Sequence, residues 1–449
     1  MIADVTNNNG TTFRIELPIT ITNDLVLMTS TSNPEVIAIC YAQGWCKSQD
    51  VMYKEEAQKV TGIGRAFEAS NIKSFDEFEE FRGISIIPTQ AFQRCTSLKS
   101  IKLPERIEKI EGFSLGTTAL SEIHIPSGVS SIQGSAFNST PIVNFSVSES
   151  NMDYLTKDGV LVTSSGMLVK YPEGRTIEEY TTDPFITKLG GYSLSGTSLK
   201  KLILSDNVIS HEVSCIVDNP YLTDIHFGAN ISPTDLAFNT KRNSALLNIT
   251  VSENHQSLSS EDGVLYNIDK TVVWKYPEGR TSFITIDSAK TVGPYACYMM
   301  ANLKEITLPD NIETLDTSSF YSCYNMTSFI TNNTSNLKVI GKNALQLASA
   351  MKYIILPASL TSLNSDSFTS CRSLGSITFN GLTAPIFADI TASNPITSAF
   401  GSNASNFTGL ESSVRVVYVP TDSTGYDSSD WNNSIFSPDR NNFTLSKTL

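Results

Sequence analysis

Hydrophobic and polar positions along this chain recur on a phrase longer than a simple helix or strand period. The phrase is Leu, two variable residues, Ile, one variable residue, then Leu or an equivalent, often followed by Pro. It occurs as Leu98-Lys-Ser-Ile101-Lys-Leu103-Pro104 and as Leu120-Ser-Glu-Ile123-His-Ile125-Pro126. Further copies start at Leu199, Leu222, Leu303, Met326, Met351 and Leu374, and adjacent copies lie 22 to 25 residues apart. A fixed period of this length predicts one short structural unit per copy, stacked on its neighbours into a solenoid. Within each copy the alternation predicts a strand, with the Leu, Ile and Leu turned inward and the residues between them outward. Parallel stacking then lines the outward residues into two columns. One holds Ser100, Glu122, Lys201, Asp224, Glu305, Ser328, Tyr353 and Ser376; the other holds Lys102, His124, Ile203, His226, Thr307, Ile330, Ile355 and Thr378.

A second signature precedes the phrase. Ala91-Phe92-Gln-Arg-Cys95-Thr-Ser-Leu98 is repeated at the same offsets by Ser319-Phe320-Tyr-Ser-Cys323-Tyr-Asn-Met326 and Ser367-Phe368-Thr-Ser-Cys371-Arg-Ser-Leu374. Fixed offsets stack equivalent side chains from coil to coil, so a Phe column and a Cys column are predicted in the interior. Cys215 falls at the Ala position and Cys297 at the Phe position, which places those thiols in the same core as small hydrophobes.

A longer period of about 104 residues is superposed. Lys157-Asp158-Gly159-Val160-Leu161 leads to Lys170-Tyr171-Pro172-Glu173-Gly174-Arg175-Thr176, and Glu261-Asp262-Gly263-Val264-Leu265 leads to Lys275-Tyr276-Pro277-Glu278-Gly279-Arg280-Thr281. Each block reads as a hairpin, with Val160-Leu-Val and Met167-Leu-Val flanking Ser164-Ser165-Gly166. Hairpins repeated on a solenoid are expected as insertions on one edge, near 154–175 and 258–280. Asp158, Glu173, Asp262 and Glu278 could be taken for paired catalytic carboxylates, but acid–Gly dipeptides form turns first.

Composition narrows the function. The net charge is −13, and charged residues are only 17% of the 449 residues. An acidic chain without Lys and Arg clusters is a poor match for nucleic-acid phosphates. No stretch of about 18 apolar residues predicts a membrane span. Near the start, Phe13, Ile15, Leu17, Ile19 and Ile21 alternate as in a strand rather than forming the apolar core of a signal peptide. An export signal is therefore expected outside this sequence or not at all. The seven cysteines include no CxxC pair, and the four histidines (124, 211, 226, 255) form no zinc or protease motif. No cofactor and no metal is predicted.

The repeat Ala-Phe-x-x-Cys-x-x-Leu-x-x-Ile-x-Leu-Pro, with its Asp-Gly-Val-Leu … Tyr-Pro-Glu-Gly-Arg block, resembles the BspA-like leucine-rich-repeat proteins over residues 60–435. These are surface proteins of Bacteroides-type bacteria and of some protists, associated with adhesion to host or matrix proteins and to other cells. The resemblance implies an α/β leucine-rich-repeat solenoid, horseshoe-like, β-rich with little helix, and closed by a C-terminal cap. Three parts follow: an N-terminal strand pair and degenerate helix–loop–helix over 1–60, the solenoid over 61–382, and an irregular loop and cap over 383–449. In the cap, Val414-Arg-Val-Val-Tyr418-Val-Pro420 is similar to the family's closing strand, with Tyr426 and Trp431 beyond it.

At the N-terminal side, Asn33-Pro34-Glu35 opens a short helix to about Gln43, whose apolar face is Val36, Ile37, Cys40 and Tyr41; Lys54–Lys59 suits a second helix. In relatives a similar element resembles a calcium-binding EF-hand. Here the loop offers only Asp50 and Glu55 as acids and carries Lys47, too few oxygens for calcium, so the element reads as metal-free. Cys40 and Cys46 are a candidate disulfide.

Function follows from the outward columns. The expected reading is a non-enzymatic, monomeric cell-surface or secreted protein that binds a protein (host or matrix) or glycan partner. Its candidate ligand residues are Glu122, His124, Asp224, His226, Ser328, Ile330, Tyr353 and Ile355. From Ser328 onward the columns lose charge and gain Ile330, Tyr353 and Ile355, as a protein-binding face would. Two alternatives stand beside it: a phage or prophage tail protein located on the virion, and a carbohydrate-active enzyme using the hairpin acids.

Overall fold

A computed structural model describes residues 2–6, 12–16, 26–364, 366–387, 415–428 and 443–447. The chain divides into two compact units, Met1–Tyr154 and Leu155–Leu449. Both are β-solenoids with little helix.

Each coil contributes at least two strands. The phrase forms the longer one, and a two-residue strand further along the coil forms a second row. In the second unit Leu194–Ser195, Ile216–Val217 and Thr240–Lys241 add a third parallel row. In the first unit Glu122–Ile125 pairs in parallel with Asn144–Val147, and the second row runs Ile86–Ile87, Lys109–Ile110, Ser131–Ile132. In the second unit the phrase strands make two sheets. One orders Glu179–Thr181, Lys201–Ile203, Asp224–Phe227 and Asn248–Val251. The other orders Glu305–Leu308, Ser328–Thr331, Tyr353–Leu356, Ser376–Phe379, Arg415–Val419 and Phe443–Lys447. The register links Glu305 to Ser328, Ser328 to Tyr353 and Tyr353 to Ser376. Those steps of 23, 25 and 23 residues equal the spacings of the phrase in the sequence, so the period is the rise of one coil.

Side-chain direction follows the alternation. Along Glu122–Ile125 the residues are exposed, buried, exposed, buried, and Glu305–Leu308 repeats that pattern. Phe92, Phe137, Phe320 and Phe368 are fully buried, as are Cys95, Cys215, Cys297, Cys323 and Cys371. The thiols do more than fill space. Cys95 Sγ donates to the carbonyl of Phe67 (2.8 Å), Cys323 to that of Cys297 (3.2 Å) and Cys371 to that of Leu345 (3.3 Å), each one coil back. Asn219 and Asn243, three residues before Leu222 and Leu246, occupy the same position and donate through Nδ2 to Leu194 and Ile216. A buried carbonyl left bare costs free energy, and Cys and Asn both satisfy it.

The coil corners are set by the backbone. Non-glycine residues with positive φ come in pairs four apart: Gln90 and Arg94, Tyr295 and Met299, Ser318 and Ser322, Asn343 and Leu347, Asp366 and Ser370. Each such residue is held against its own preference, at a cost of order 1 kcal/mol. The corner amides bond to the next coil, as Phe92 N–H does to Ser114 and Phe320 N–H to Ala344.

The hairpins differ from expectation. They are antiparallel, as predicted, with Val160–Thr163 against Met167–Lys170 and Val264–Asn267 against Val272–Lys275. They are not edge insertions, however. Met167–Lys170 continues in parallel onto Lys188–Leu189, and Val272–Lys275 onto Thr291–Val292, so each hairpin starts a second-row sheet. The reason is its own alternation: Leu168, Val273 and Leu265 are fully buried and can be covered only by joining the stack. At the turn, Gly166 has φ +90° and a Cβ there would lie 2.7 Å from the Phe185 carbonyl, so only glycine fits.

In the N-terminal element Pro34–Ala42 and Lys54–Ala57 are helical. Val36, Ile37 and Cys40 are buried, but Tyr41 is exposed. Asn33 stands at the cap position without capping; its Nδ2 instead donates to Ser74 O and Glu77 Oε2. Cys40 and Cys46 are free thiols, and Cys46 donates to the Ser48 carbonyl. Of the expected strand run, Thr12–Glu16 is a strand paired with Ile2–Thr6, and Leu17, Ile19 and Ile21 lie outside the described residues. At the other end Arg415–Val419 extends the sheet, but Phe443–Lys447 follows it in the ladder. Tyr426 is buried and donates to the Gly381 carbonyl. Trp431 and most of the expected irregular loop, 388–410, are also outside the described residues.

Candidate functional site

The outward positions of the phrase strands are where chemistry can meet a partner. In the first unit Glu122 lies beside Asn144 and His124 beside Ser146. His124 Nδ1 is 3.0 Å from Ser146 Oγ, which also lies 3.4 Å from the Ile123 carbonyl. In the second unit Asp224 lies between Lys201 and Asn248, and His226 between Ile203 and Thr250. Asn248 Nδ2 donates to Asp224 Oδ1 (3.0 Å), and His226 Nδ1 is 3.0 Å from Thr250 Oγ1. Lys201 is taken up by Glu179 at 3.2 Å. Asn144 and Ser146 fall outside the phrase in its strict form, whereas Leu246-Leu-Asn-Ile249-Thr-Val251, which carries Asn248 and Thr250, fits it 24 residues after Leu222. A looser phrase with Ile for Leu and Phe for Ile takes in Ile142-Val-Asn-Phe145-Ser-Val147 as well.

The sheet that begins at Glu305 has a different face. Ile330, Ile355 and Thr378 are neighbours in register, Tyr418 continues the row, and Tyr353 stands 39% exposed in the other column. Ser328 corrects the expectation. It holds its register between Glu305 and Tyr353 but is only 1% exposed. A hydroxymethyl group reaches less far from the sheet than the Glu305 and Tyr353 side chains at the neighbouring register positions.

The hairpin acids have structural partners. Glu278 is buried against Lys275 Nζ at 2.8 Å and accepts the Asn243 N–H; Glu173 is paired likewise with buried Lys170. Burial raises the Glu278 carboxyl above its ordinary range, opposed by Lys275 beside it. Burial lowers the Lys170 ammonium, opposed by Glu173. Asp158 and Asp262 have positive φ in their Asp-Gly turns, and the guanidinium groups of Arg175 and Arg280 bind their backbone carbonyls.

Two histidines are consumed by the fold. His255 is buried, with Nε2 2.9 Å from the Ile231 carbonyl and Nδ1 accepting the Ser257 and Leu258 N–H groups. His211 lines a cleft of about 510 Å³ with Glu212, Asp235 and Asn239. Its Nε2 faces the Ser232 carbonyl (3.2 Å) and its Nδ1 the Asn239 amide (3.4 Å), so both nitrogens are engaged. The thiols are equally committed: burial pushes Cys215, Cys323 and Cys371 up to about 12, far from a nucleophilic thiolate. Among the described residues no group of three metal-ligating side chains occurs, and no helix is long and apolar enough to cross a membrane.

With the coils, the repeated blocks and the exposed strand faces in view, comparison with known proteins gives the family. The sequence profile of the BspA type leucine rich repeat region matches in six copies over residues 57–158, 173–264 and 275–390, well over half of the chain. The chain belongs to the BspA-type leucine-rich-repeat family. No curated protein matches it at a significant score. Among solved structures, it is similar to a leucine rich cell surface protein of Faecalibacterium prausnitzii at 18% identity, over 67% of this chain and 58% of that one, with a TM-score of 0.32. It is also similar to the pneumococcal vaccine antigen PcpA (18% identity, 86% and 70% of the chains, TM-score 0.32). A leucine-rich repeat protein of Bacteroides ovatus matches at 17% identity over 82% and 76%, with a TM-score of 0.28. The BspA-type chain thus spans little more than half the length of the F. prausnitzii protein.

Proposed function

We propose that this BspA-type protein is a non-enzymatic binding protein of the cell surface or of the secreted fraction. It acts as a monomer and engages a host or matrix protein through the outward face of the sheet that begins at Glu305. One observation carries the reading: Ile330, Ile355 and Tyr353 stand outward on adjacent strands, and their columns hold no charged side chain between Ser328 and Thr378. Apolar and aromatic side chains grouped on a face are the usual anchors of a protein partner. Family membership supports the surface setting. The hairpin acids, committed to buried lysines and tight turns, favour binding over hydrolysis.

The test is a binding screen of the full chain against immobilised extracellular-matrix and serum proteins, repeated with Ile355→Glu. A partner held by the wild type and lost by the variant, with the thermal midpoint unchanged, supports the reading. A partner that binds both proteins equally would overturn this face as the site. Turnover of a glycan or peptide, abolished by Asp158→Asn or Asp262→Asn, would overturn the non-enzymatic reading.

A further inference from the structure

Two polar clusters of the same make-up occur on this molecule, one in each unit. The first is Glu122, His124, Asn144 and Ser146; the second is Asp224, His226, Asn248 and Thr250. In both, an acid stands beside an asparagine and a histidine beside a hydroxyl. In both, histidine Nδ1 is 3.0 Å from that hydroxyl oxygen. In both, the hydroxyl is 3.4 Å from the carbonyl of the residue preceding the histidine, Ile123 or Ile225. Each strand pair also runs directly into an Asp-Gly hairpin, so the cluster belongs to the longer repeat, His226 standing 102 residues after His124. Two similar side chains can coincide on a sheet. Four, with the same histidine–hydroxyl and hydroxyl–carbonyl hydrogen bonds and the same place in the repeat, point to one site present twice.

The hydrogen bonds fix what the site offers. A hydroxyl has one proton. With that proton directed at the Ile123 or Ile225 carbonyl, the oxygen accepts from imidazole Nδ1–H. In that tautomer the ring's acceptor is Nε2, which has no other protein partner among the described residues. A carboxylate acceptor lies two residues away along the same strand, roughly 7 Å along the backbone. Beside that carboxylate, the asparagine supplies a carboxamide that both donates and accepts. Asp224 is already half-satisfied, taking bonds from Asn248 Nδ2 and Thr223 Oγ1, so its charge is spread over neutral donors rather than held for a cation. The four residues of each cluster include no apolar or aromatic anchor of the kind a protein partner needs, and Ile203 beside His226 is the one apolar neighbour in register. The matching ligand is neutral and carries several hydroxyls that donate and accept at once.

We propose that each cluster binds one neutral, hydroxyl-rich sugar residue of a glycan, giving two equivalent sugar sites per chain. Hydroxyl groups donate to Nε2 and to the carboxylate and accept from the asparagine amide. The Ser146 and Thr250 hydroxyls are positioning groups that hold the imidazole tautomer. This rests on the reading of the phrase-strand faces as binding surfaces, but it uses different strands from those assigned to a protein partner.

The experiment screens the full chain on an array of neutral, amino, acidic and sulfated glycans. Isothermal titration with a neutral oligosaccharide from the array then follows. The wild type is expected to show two sites per chain, His124→Ala or His226→Ala one site, and the double variant none. Ser146→Ala combined with Thr250→Val is expected to weaken both sites while keeping the histidines. These substitutions are on the surface and leave stability nearly unchanged, which thermal unfolding of each variant checks. Absence of neutral glycans from the array hits would overturn the proposal, as would binding indifferent to both histidines. Preference for amino sugars would reassign the clusters to cationic ligands and overturn it too. The matrix-protein screen of the double variant separates the two readings: retained protein binding without any glycan site would leave the protein-binding reading standing alone.

Discussion

Two stretches of phrase sheet in the second unit share one backbone plan and differ in what they show to solvent. From Glu179 to Val251 the outward residues are mainly charged or hydrogen-bonding: Glu179, Lys201, Asp224, Asn248, His226 and Thr250. Beyond Glu305, from Ser328 to Phe379, they turn uncharged and partly apolar, with Ile330, Ile355 and Tyr353. The inward residues do not follow this change; both stretches bury Leu, Ile and Phe at equivalent places. A solenoid thus separates two selections. Inward positions answer to packing and recur, while outward positions are free to diverge and carry recognition.

The comparison can be broken first at the inward positions. Phe320→Ala should cost about 3–5 kcal/mol as a large-to-small change at a fully buried site, measured by urea unfolding. A loss under about 1 kcal/mol would mean that the inward column does not hold the coil. Breaking the pair in the second hairpin block should be nearly as costly. Glu278→Ala leaves Lys275 buried without a counter-charge, for a loss of about 3–5 kcal/mol. Replacing both, as Lys275→Met with Glu278→Leu, should recover most of that loss, because two desolvated charges disappear together. If the double variant is no better than Glu278→Ala, the pair does something other than neutralise itself.

The thiol column gives a pH signature. Cys323 and Cys371 are raised from 9.0 to about 12 by burial, so the folded state holds their protons more tightly than the unfolded state does. Their contribution is complete below about pH 9 and is lost as pH rises towards 12, since ionisation then favours the unfolded chain. The thermal midpoint should therefore fall over that alkaline window, and fall less in a Cys323→Ala, Cys371→Ala double variant. At neutral pH neither thiol should react with iodoacetamide until the protein unfolds. The smallest effects belong to the outward residues. His226→Ala and Ile355→Glu should each change stability by no more than about 0.5 kcal/mol, and larger shifts would show that the outward columns also hold the fold.

Much of this fold is legible in the amino-acid order alone, because the repeat spacing is the register. The steps of 23 and 25 residues that separate Leu303, Met326 and Met351 are the steps between paired strands. The column residues Glu122, His124, Asp224 and His226 are legible for the same reason. The partners Asn144 and Ser146 are not, since they sit in a coil whose phrase opens with Ile142 instead of Leu. Asn219 and Asn243 disguise the hydrogen-bonding column by replacing Cys with a residue of different hydropathy but the same donor role. Alternation tells direction and not reach, so it cannot reveal that Ser328 is buried. The hairpins are legible too, but their attachment is not, because periodicity within a segment does not say which sheet its last strand will join.

That attachment has a mechanical consequence. The second hairpin interrupts the phrase sheet, so no strand hydrogen bonds join Asn248–Val251 to Glu305–Leu308, while the second-row sheet runs on from the hairpin. A chain pulled from its C-terminal end should peel one coil at a time, each releasing 23 to 25 residues and about 80 Å of contour length. On reaching the antiparallel strands Leu258–Glu261, Val264–Asn267 and Val272–Lys275, the peeling geometry changes from row-by-row opening to the unzipping of a meander pinned by the buried Lys275–Glu278 pair. The hairpin is thus a ratchet tooth in the stack, a place where a tear that has run through identical coils meets a different resistance and pauses.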